Sequence, residues 1–212
     1  ESKIDDLEHT PAAALGSCRG KLPKMGEDDA VYEKLLEIFQ KYDIRYFFYI
    51  GGNDSMDTVD KLSKYFASVG SSIRVMGVPK TIDNDLGATD HTPGYGSAAK
   101  FVATAIQEIC RDCAVYTKKA VTIVEIMGRD AGWLTASSAL GRLNGDTAPD
   151  LIYLCERPFC VDQFLDDVRE KMAEKHSIIV AVSEGIRNEE GDYITDTLQD
   201  RPADAFGHKI LA

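Results

Sequence analysis

The sequence predicts an α/β fold built on parallel sheet, and two observations carry that prediction. Short apolar runs alternate with amphipathic helical stretches along the chain. The runs over residues 45–50 and 178–182 are apolar at nearly every position, which is typical of strands covered on both faces. In folds of this kind, ligands bind at the carboxyl ends of the strands.

The expected elements follow from spacing and from the residues that end each run. Helices are expected where apolar residues recur at helical spacing, over residues 31–42, 56–66, 95–116, 131–140 and 161–172. Strands are expected over 45–50, 73–78, 121–126, 151–154 and 178–182, most of them ending near Gly or Pro. Asp28 or Asp29 would cap the first helix, and Trp133 would pack in the core. Together these elements predict a Rossmann-like three-layer sandwich.

Composition narrows the functional classes. The chain has 212 residues, 44% of them hydrophobic, which suffices for one large domain or two small ones. A formal net charge of −11 argues against a nucleic-acid partner, and no apolar run is long enough to cross a membrane. The five cysteines form no disulfide framework and no secretory signal opens the chain, so we expect a cytoplasmic location with reduced thiols.

The first unusual loop follows the strand over residues 45–50. Gly51 and Gly52 let the backbone approach a ligand closely, and Asn53 or Asp54 would cap the next helix. A helix N-terminus carries partial positive charge and free N–H groups, which suit a phosphate. The alternative interpretation is a plain glycine turn followed by a helix cap.

The second loop, residues 79–85, places a cation and two carboxylates just after a strand. Lys80 can neutralise phosphate charge, and Thr81 can donate a hydrogen bond to a phosphoryl oxygen. Asp83 can accept the proton of an alcohol, and Asp85 can orient metal-bound water. This combination fits phosphoryl transfer to a hydroxyl group, although a polar turn with local hydrogen bonds remains the alternative.

The third loop supplies Gly128 and Arg129 after the strand over 121–126. The planar guanidinium of Arg129 suits phosphate oxygens, and by itself it would be interpreted as a surface arginine. Three such loops at equivalent strand ends indicate one shared site.

These motifs carry a resemblance to a known family. The runs GGNDSMDT (51–58), PKTIDND (79–85), TDHTPGYGSAAK (89–100) and VEIMGRDAGWLT (124–135) are together similar to the phosphofructokinase family. Residues 15–19 look like its Gly-Ser-x-Arg phosphate loop, and residues 182–185 look like the segment with its sugar-binding glutamate. The resemblance covers residues 15–209 and implies the phosphofructokinase fold, with two α/β subdomains over 1–93 (donor binding) and 94–212 (sugar phosphate binding).

The resemblance also implies a role for each matching residue. Asp83 would be the general base on the 1-hydroxyl of fructose 6-phosphate, Thr81 would position that hydroxyl, and Asp85 would support the site. The sugar and phosphoryl group would contact Met127, Gly128, Arg129 and Glu184. The donor would contact Arg19, Gly52, Asn53, Asp54 and Lys80. Asn53 replaces the family's metal-binding aspartate and would serve as a weak ligand to Mg²⁺.

The predicted phosphoryl donor is pyrophosphate. ATP-using members resemble GGDGS in the first loop, and here Asp54 occupies the position of the last glycine, the one that follows the aspartate. Like charges about 4 Å apart cost roughly 4 kcal/mol at an effective dielectric near 20, about a thousandfold in affinity. The expected reaction forms fructose 1,6-bisphosphate and phosphate reversibly, with Lys80 favouring the shorter donor.

Two alternatives keep the same fold: an ATP-dependent 6-phosphofructokinase, and a non-catalytic regulatory subunit that binds a sugar-phosphate effector. The presence of Asp83, Asp85 and Arg129 argues against the second. The family's first phosphate loop and its 6-phosphate clamp have no counterpart in the sequence, so we expect a piece truncated at both ends and inactive alone. The full-length protein would be a homodimer or homotetramer.

Overall fold

The computed structural model describes residues 2–9, 20–145 and 147–197. The chain divides into two compact units, residues 1–79 and 80–212, which are taken in turn. The subdomain boundary expected at 93/94 lies within the second unit, and the assignment of donor and sugar binding to the two parts stays a prediction.

The first unit contains a parallel strand pair with helices packed on it. Its elements are α1 (Ser2–Asp5), a 3₁₀ turn (Asp6–His9), α2 (Ala30–Lys41), β1 (Tyr46–Gly51), α3 (Asn53–Ser68) and β2 (Arg74–Pro79). The register of β1 on β2 runs from Tyr46 opposite Arg74 to Gly51 opposite Pro79. The parallel pairing confirms the predicted α/β class for this unit.

One face of the β1–β2 pair is covered and the other is not. The core beneath it includes Tyr32, Phe39, Leu62, Phe66 and Val75. On the other face, Phe48 and Ile50 of β1 are 62% and 67% exposed, and their neighbours Met76 and Val78 of β2 are 53% and 42% exposed. The expectation that this strand would be buried on both faces is therefore wrong, because α2 and α3 provide apolar partners for one face only.

One of the two expected helix caps is present, at α2, and the other, at α3, is not. Asp29 occupies the N-cap position of α2, and the N–H of Ala30 donates to the carboxylate of Asp28 at 3.2 Å, in agreement with the expectation of Asp28 or Asp29. Helix α3 begins at Asn53 itself with Gly52 as its N-cap, so the prediction that Asn53 or Asp54 caps it is wrong. A side chain at Gly51 would overlap Ser55, so the glycine lets the first turn of α3 lie directly against the strand end.

The second unit contains a three-stranded parallel sheet in the order β3-β5-β4. Its elements are α4 (Tyr95–Ala114), β3 (Ala120–Ile126), α5 (Trp133–Ser137), a 3₁₀ segment (Ser138–Asn144), β4 (Leu151–Tyr153), α6 (Val161–Glu174), β5 (Ser177–Ser183) and α7 (Ile194–Thr197). The central strand β5 is buried from Ile178 onward, as its apolar run predicts. Ile106, Leu134 and Ile179 lie in the core between α4, α5 and the sheet.

Trp133 does not pack in the core as expected, since it is 53% exposed. The five-residue helix α5 turns Leu134, Thr135 and Ser137 inward, which leaves its first residue outside. Trp133 lines a cleft of about 460 Å³ whose other walls are residues 84–87, 89 and 90. Within the described ranges, no helix is both long and apolar enough to cross a membrane.

Candidate functional site

The site in the second unit is built by the register of two neighbouring strands. Ile126, the last residue of β3, is paired with Ser183, the last residue of β5. Met127, Gly128 and Arg129 therefore leave the sheet beside Glu184. Parallel pairing with these two runs in register brings two segments 55 residues apart in sequence to one edge.

The structure brings Asp83 next to Arg129. The Nε atom of Arg129 lies 3.9 Å from Oδ2 of Asp83; the arginine side chain is 60% exposed and the aspartate side chain only 11%. Burial raises the pKa of Asp83 above its ordinary value and the charge of Asp85 raises it further, while Arg129 and a hydrogen bond with Thr81 act in the opposite direction. A shielded carboxylate with a raised pKa beside a cation is a suitable proton acceptor.

A pair of residues that sequence reasoning missed, Asn84 and Thr92, fixes the loop that carries Asp83. Asn84 is 5% exposed at φ +57°, and its Oδ1 accepts the N–H of Thr92 at 2.9 Å. The fully buried hydroxyl of Thr92 donates to the carbonyl oxygen of Thr81 at 2.6 Å. Asparagine tolerates the left-handed region better than most residues, which was the available signal for this position.

Glu184 holds the backbone of the third loop. Its Oε1 accepts the N–H of Gly128 at 2.9 Å and that of Arg129 at 2.6 Å. Gly128 has φ +153° and Arg129 has φ +54°, so the loop makes a turn that few side-chain-bearing residues adopt. The predicted contact of Glu184 with sugar hydroxyls stays a prediction, with one of its oxygens already engaged in shaping the loop.

A second carboxylate at this loop, Glu156, was missed by sequence reasoning. Its Oε1 accepts the N–H of Gly132 at 2.7 Å, and a side chain at Gly132 would press on the same carboxylate. The turn between β3 and α5 is thus held at Gly128 by Glu184 and at Gly132 by Glu156.

The predicted donor loop lies in the first unit and is described by itself. Asn53 and Asp54 form the first turn of α3 and are exposed, and the Asp54 carboxylate lies 3.4 Å from Nζ of Lys21, a partner that the sequence did not indicate. Lys80, another residue predicted to bind the donor, is the first residue of the second unit and is exposed. Arg19 and the rest of residues 15–19 lie outside the described residues.

Metal-binding potential is limited to small carboxylate sets. Within residues 2–9, 20–145 and 147–197, no group of three His, Cys, Asp or Glu side chains is arranged to hold an ion. Mg²⁺ is commonly bound by one or two carboxylates together with substrate phosphates, so Asp85 suits such an ion.

Comparison with known proteins decides the family. The phosphofructokinase family model matches residues 1–211. The chain belongs to the phosphofructokinase family. It is 44% identical over 210 residues to the pyrophosphate–fructose 6-phosphate 1-phosphotransferase of Xanthomonas campestris, covering 98% of this chain and 50% of that protein. The enzyme of the same name from Rhodospirillum rubrum is also 44% identical, over 99% of this chain and 50% of its own length.

Solved phosphofructokinases share the fold. The crystal structure of pyrophosphate-dependent phosphofructokinase from Marinobacter aquaeolei matches with a TM-score of 0.73 and 39% identity, over 99% of this chain and 52% of that one. Phosphofructokinase from Pichia pastoris in the T-state is more distant, with a TM-score of 0.65 and 26% identity over 85% of this chain and 21% of its own. The chain thus spans about half the length of the first bacterial relatives.

Proposed function

We propose that this chain is part of a longer enzyme that transfers a phosphoryl group from pyrophosphate to the 1-hydroxyl of fructose 6-phosphate. The products are fructose 1,6-bisphosphate and phosphate, and the reaction is reversible. The observation that carries the proposal is the buried carboxylate of Asp83 beside the guanidinium of Arg129, 3.9 Å apart. The names of relatives that are 40 to 44% identical to this chain support the choice of substrates.

In the proposed mechanism, Asp83 accepts the proton of the 1-hydroxyl as its oxygen attacks phosphorus. The new bond joins sugar oxygen to phosphorus, the bond from that phosphorus to the bridging oxygen of pyrophosphate breaks, and phosphate leaves. Arg129 stabilises the charge on the equatorial oxygens of the moving group, which is the main demand of this chemistry. The hydroxyl oxygen of Thr81 accepts the backbone N–H of Asp83 at 3.1 Å, which fixes where the Asp83 side chain begins, and the same hydroxyl orients the incoming hydroxyl of the sugar.

Glu184 shapes the acceptor site through the loop it holds. By accepting the N–H groups of Gly128 and Arg129, it sets where the Arg129 side chain begins, and Met127 lies 55% exposed on the same loop. In the proposal these residues form the sugar side of the site, with the second oxygen of Glu184 directed to a sugar hydroxyl.

The donor side of the proposal rests on the loop at the start of α3 and on Lys80. Gly52 and Asn53 offer backbone and amide groups to pyrophosphate, Lys80 and Arg19 offer charge, and Asp54 disfavours a longer nucleotide. Asp85 would hold Mg²⁺, which leaves Asp83 free to accept the proton, and the Asn53 amide is a weaker candidate ligand. When bound, Mg²⁺ neutralises charge on the phosphates.

The proposal includes a cytoplasmic location and a homodimeric or homotetrameric full-length protein, without a nucleic-acid or membrane partner. A coupled aldolase assay of the full-length enzyme, run with pyrophosphate and with ATP, tests the reaction. Asp83→Ser is expected to abolish turnover, whereas Asp90→Asn, at an exposed carboxylate of the same loop, leaves it intact. Turnover with ATP alone, or none with either donor, refutes the proposal.

A further inference from the structure

A cluster of three polar residues lies directly beyond Arg129. Nη2 of Arg187 donates to Oδ1 of Asp130 at 2.6 Å and also lies 2.6 Å from the hydroxyl oxygen of Tyr193. The Tyr193 hydroxyl donates to the same oxygen of Asp130 at 2.9 Å. The guanidinium carbon of Arg187 is 4.1 Å from the centre of the Tyr193 ring. Each member of the cluster thus contacts both of the others, and none has a role in the mechanism above.

The residues that contribute Arg187 and Tyr193 form a firm support. The two are joined by an antiparallel bridge, and the turn between them is closed by the N–H of Asn188 donating to the carbonyl of Asp192 at 3.0 Å. On either side of this turn, Ile186 and Ile194 are buried together with Val182 of β5. The Arg187–Tyr193 segment is therefore anchored to the central strand of the sheet.

The loop that this segment contacts is conformationally unfavourable. Arg129 has φ +54°, a conformation that a residue with a side chain keeps only where its surroundings impose it. On one side, Glu184 accepts its N–H, and the Cα of Gly185 lies so close to its carbonyl that any side chain at 185 would overlap that oxygen. On the other side, the next residue along the chain is held through the side chain of Asp130.

We infer that Asp130, Arg187 and Tyr193 form a latch that positions Arg129 for the transfer reaction. The inference rests on the proposed function, since it assigns the purpose of the latch to that site. Asp130, Arg187 and Tyr193 are positioning residues, because each acts on the substrate only through the backbone and side chain of Arg129. Hydrogen bonding by Tyr193 and Arg187 lowers the pKa of Asp130, which keeps the latch closed around an ionised carboxylate.

The simpler interpretation is an exposed ion pair of little consequence, and the chain offers a matched example of one. On α6, Nη1 of Arg169 lies 2.6 Å from Oδ1 of Asp166, the same separation as in the latch, with both side chains about 70% exposed. That pair connects two turns of one helix and supports no strained residue. Loss of the Arg169 pair therefore measures what an ordinary surface contact contributes.

The test is a double-mutant cycle in the full-length enzyme with pyrophosphate as donor. We expect Arg187→Gln to lower kcat by about 10- to 100-fold, because a displacement of about 1 Å at a reacting group has effects of that size. In an Arg129→Ala background the same change should lower kcat less than about twofold, since the residue to be positioned is gone. Arg187→Lys should retain part of the activity, Tyr193→Phe should lose less than Arg187→Gln, and Arg169→Gln should match wild type.

Equal losses from Arg187→Gln in both backgrounds would mean that the latch only stabilises the fold, and would overturn the inference. Amide hydrogen exchange provides a readout that needs no turnover. The Arg129 amide, protected by Glu184, should exchange about tenfold faster in Arg187→Gln and unchanged in Arg169→Gln. If the wild-type enzyme does not use pyrophosphate, the proposed function fails, but the exchange measurement still tests whether the latch holds Arg129. An unchanged exchange rate of the Arg129 amide in Arg187→Gln refutes the latch.

Discussion

The charge at Asp54 is expected to select the phosphoryl donor, and the structure revises how much it contributes. The side chain lies in the first turn of α3, is 68% exposed, and has Nζ of Lys21 at 3.4 Å. Two unit charges about 4 Å apart interact by about 4 kcal/mol at a dielectric of 20 but by about 1 kcal/mol in water. Because Asp54 is well hydrated and has a cation beside it, the lower value applies.

The charge therefore accounts for about a fivefold preference rather than about a thousandfold, and the rest must come from bulk. Asp54→Asn removes the charge and keeps the size, so it should move the ratio of kcat/KM for pyrophosphate over ATP toward ATP by about fivefold. Asp54→Gly removes both and should move the ratio further. The matched control is Asp57→Asn, one turn along α3, where the carboxylate pairs with Lys61 at 2.6 Å and the ratio should not change.

The measurement is the coupled assay with both donors on one preparation, so that any inactive fraction cancels from the ratio. Asp54→Gly should also destabilise α3 by about 1–2 kcal/mol, because it loses a favourable charge at the helix N-terminus and introduces glycine. A wild-type enzyme that already prefers ATP, or a ratio that neither variant moves toward ATP, would refute this account of Asp54.

Four further predictions concern the second unit and the isolated chain. Asp83→Asn in the full-length enzyme should lower kcat by at least about 10²-fold with little change in the KM for the sugar phosphate, and unchanged turnover would contradict its role as base. Because the pKa of Asp83 is raised in the folded state, the folded wild type binds the proton more tightly than the unfolded chain and loses stability as pH rises from about 4 through the raised pKa. Asp83→Asn should therefore raise Tm at neutral pH and lose that gain below about pH 4. A gain in Tm that does not depend on pH would argue against this. Thr92→Val should destabilise the 81–92 loop by about 1–3 kcal/mol, because it leaves the Thr81 carbonyl without its hydrogen bond, whereas Thr92→Ser keeps that bond. Denaturant unfolding measures the difference, and equal stability of the two variants would show that the Thr92 hydroxyl does not stabilise the loop. The isolated 212-residue chain should be inactive and self-associate through the exposed face that carries Phe48, Ile50 and Met76, which light scattering across concentrations checks; substantial turnover or a monomer at every concentration would contradict it.

The sequence indicates where the candidate site lies because its polar residues are concentrated in short runs at strand ends. Asp83 and Arg129 were found in this way, because ligands of parallel-sheet folds bind at the carboxyl ends of strands, whereas Glu184 was indicated only by the resemblance to the phosphofructokinase family. The proximity of Asp83 and Arg129 does not come from a shared sheet edge, because Asp83 follows β2 of the two-stranded sheet and Arg129 follows β3 of the three-stranded one.

Contacts that depend on side-chain direction were not predictable in the same way. Asn84 and Thr92 are polar residues in a polar loop, and only the folded loop shows that they are buried against each other. Arg187 and Tyr193 likewise lie far in sequence from Asp130, so no local pattern joins them. The exposure of β1 was missed for another reason: an apolar run shows that both faces could be covered, not that both are.

The outward position of Trp133 has a practical consequence. It is the sole tryptophan of this chain. It lines the same cleft as Asn84 and Asp85, the two residues that follow Asp83, the proposed general base. Fluorescence excited at wavelengths that tyrosine does not absorb therefore reports on the surroundings of Trp133 alone in this chain. Any rearrangement of the 84–90 loop, or entry of an anion beside it, changes the polarity around a half-exposed indole and so its emission. The chain thus carries its own optical probe at the edge of the candidate site, without a label or an added substitution.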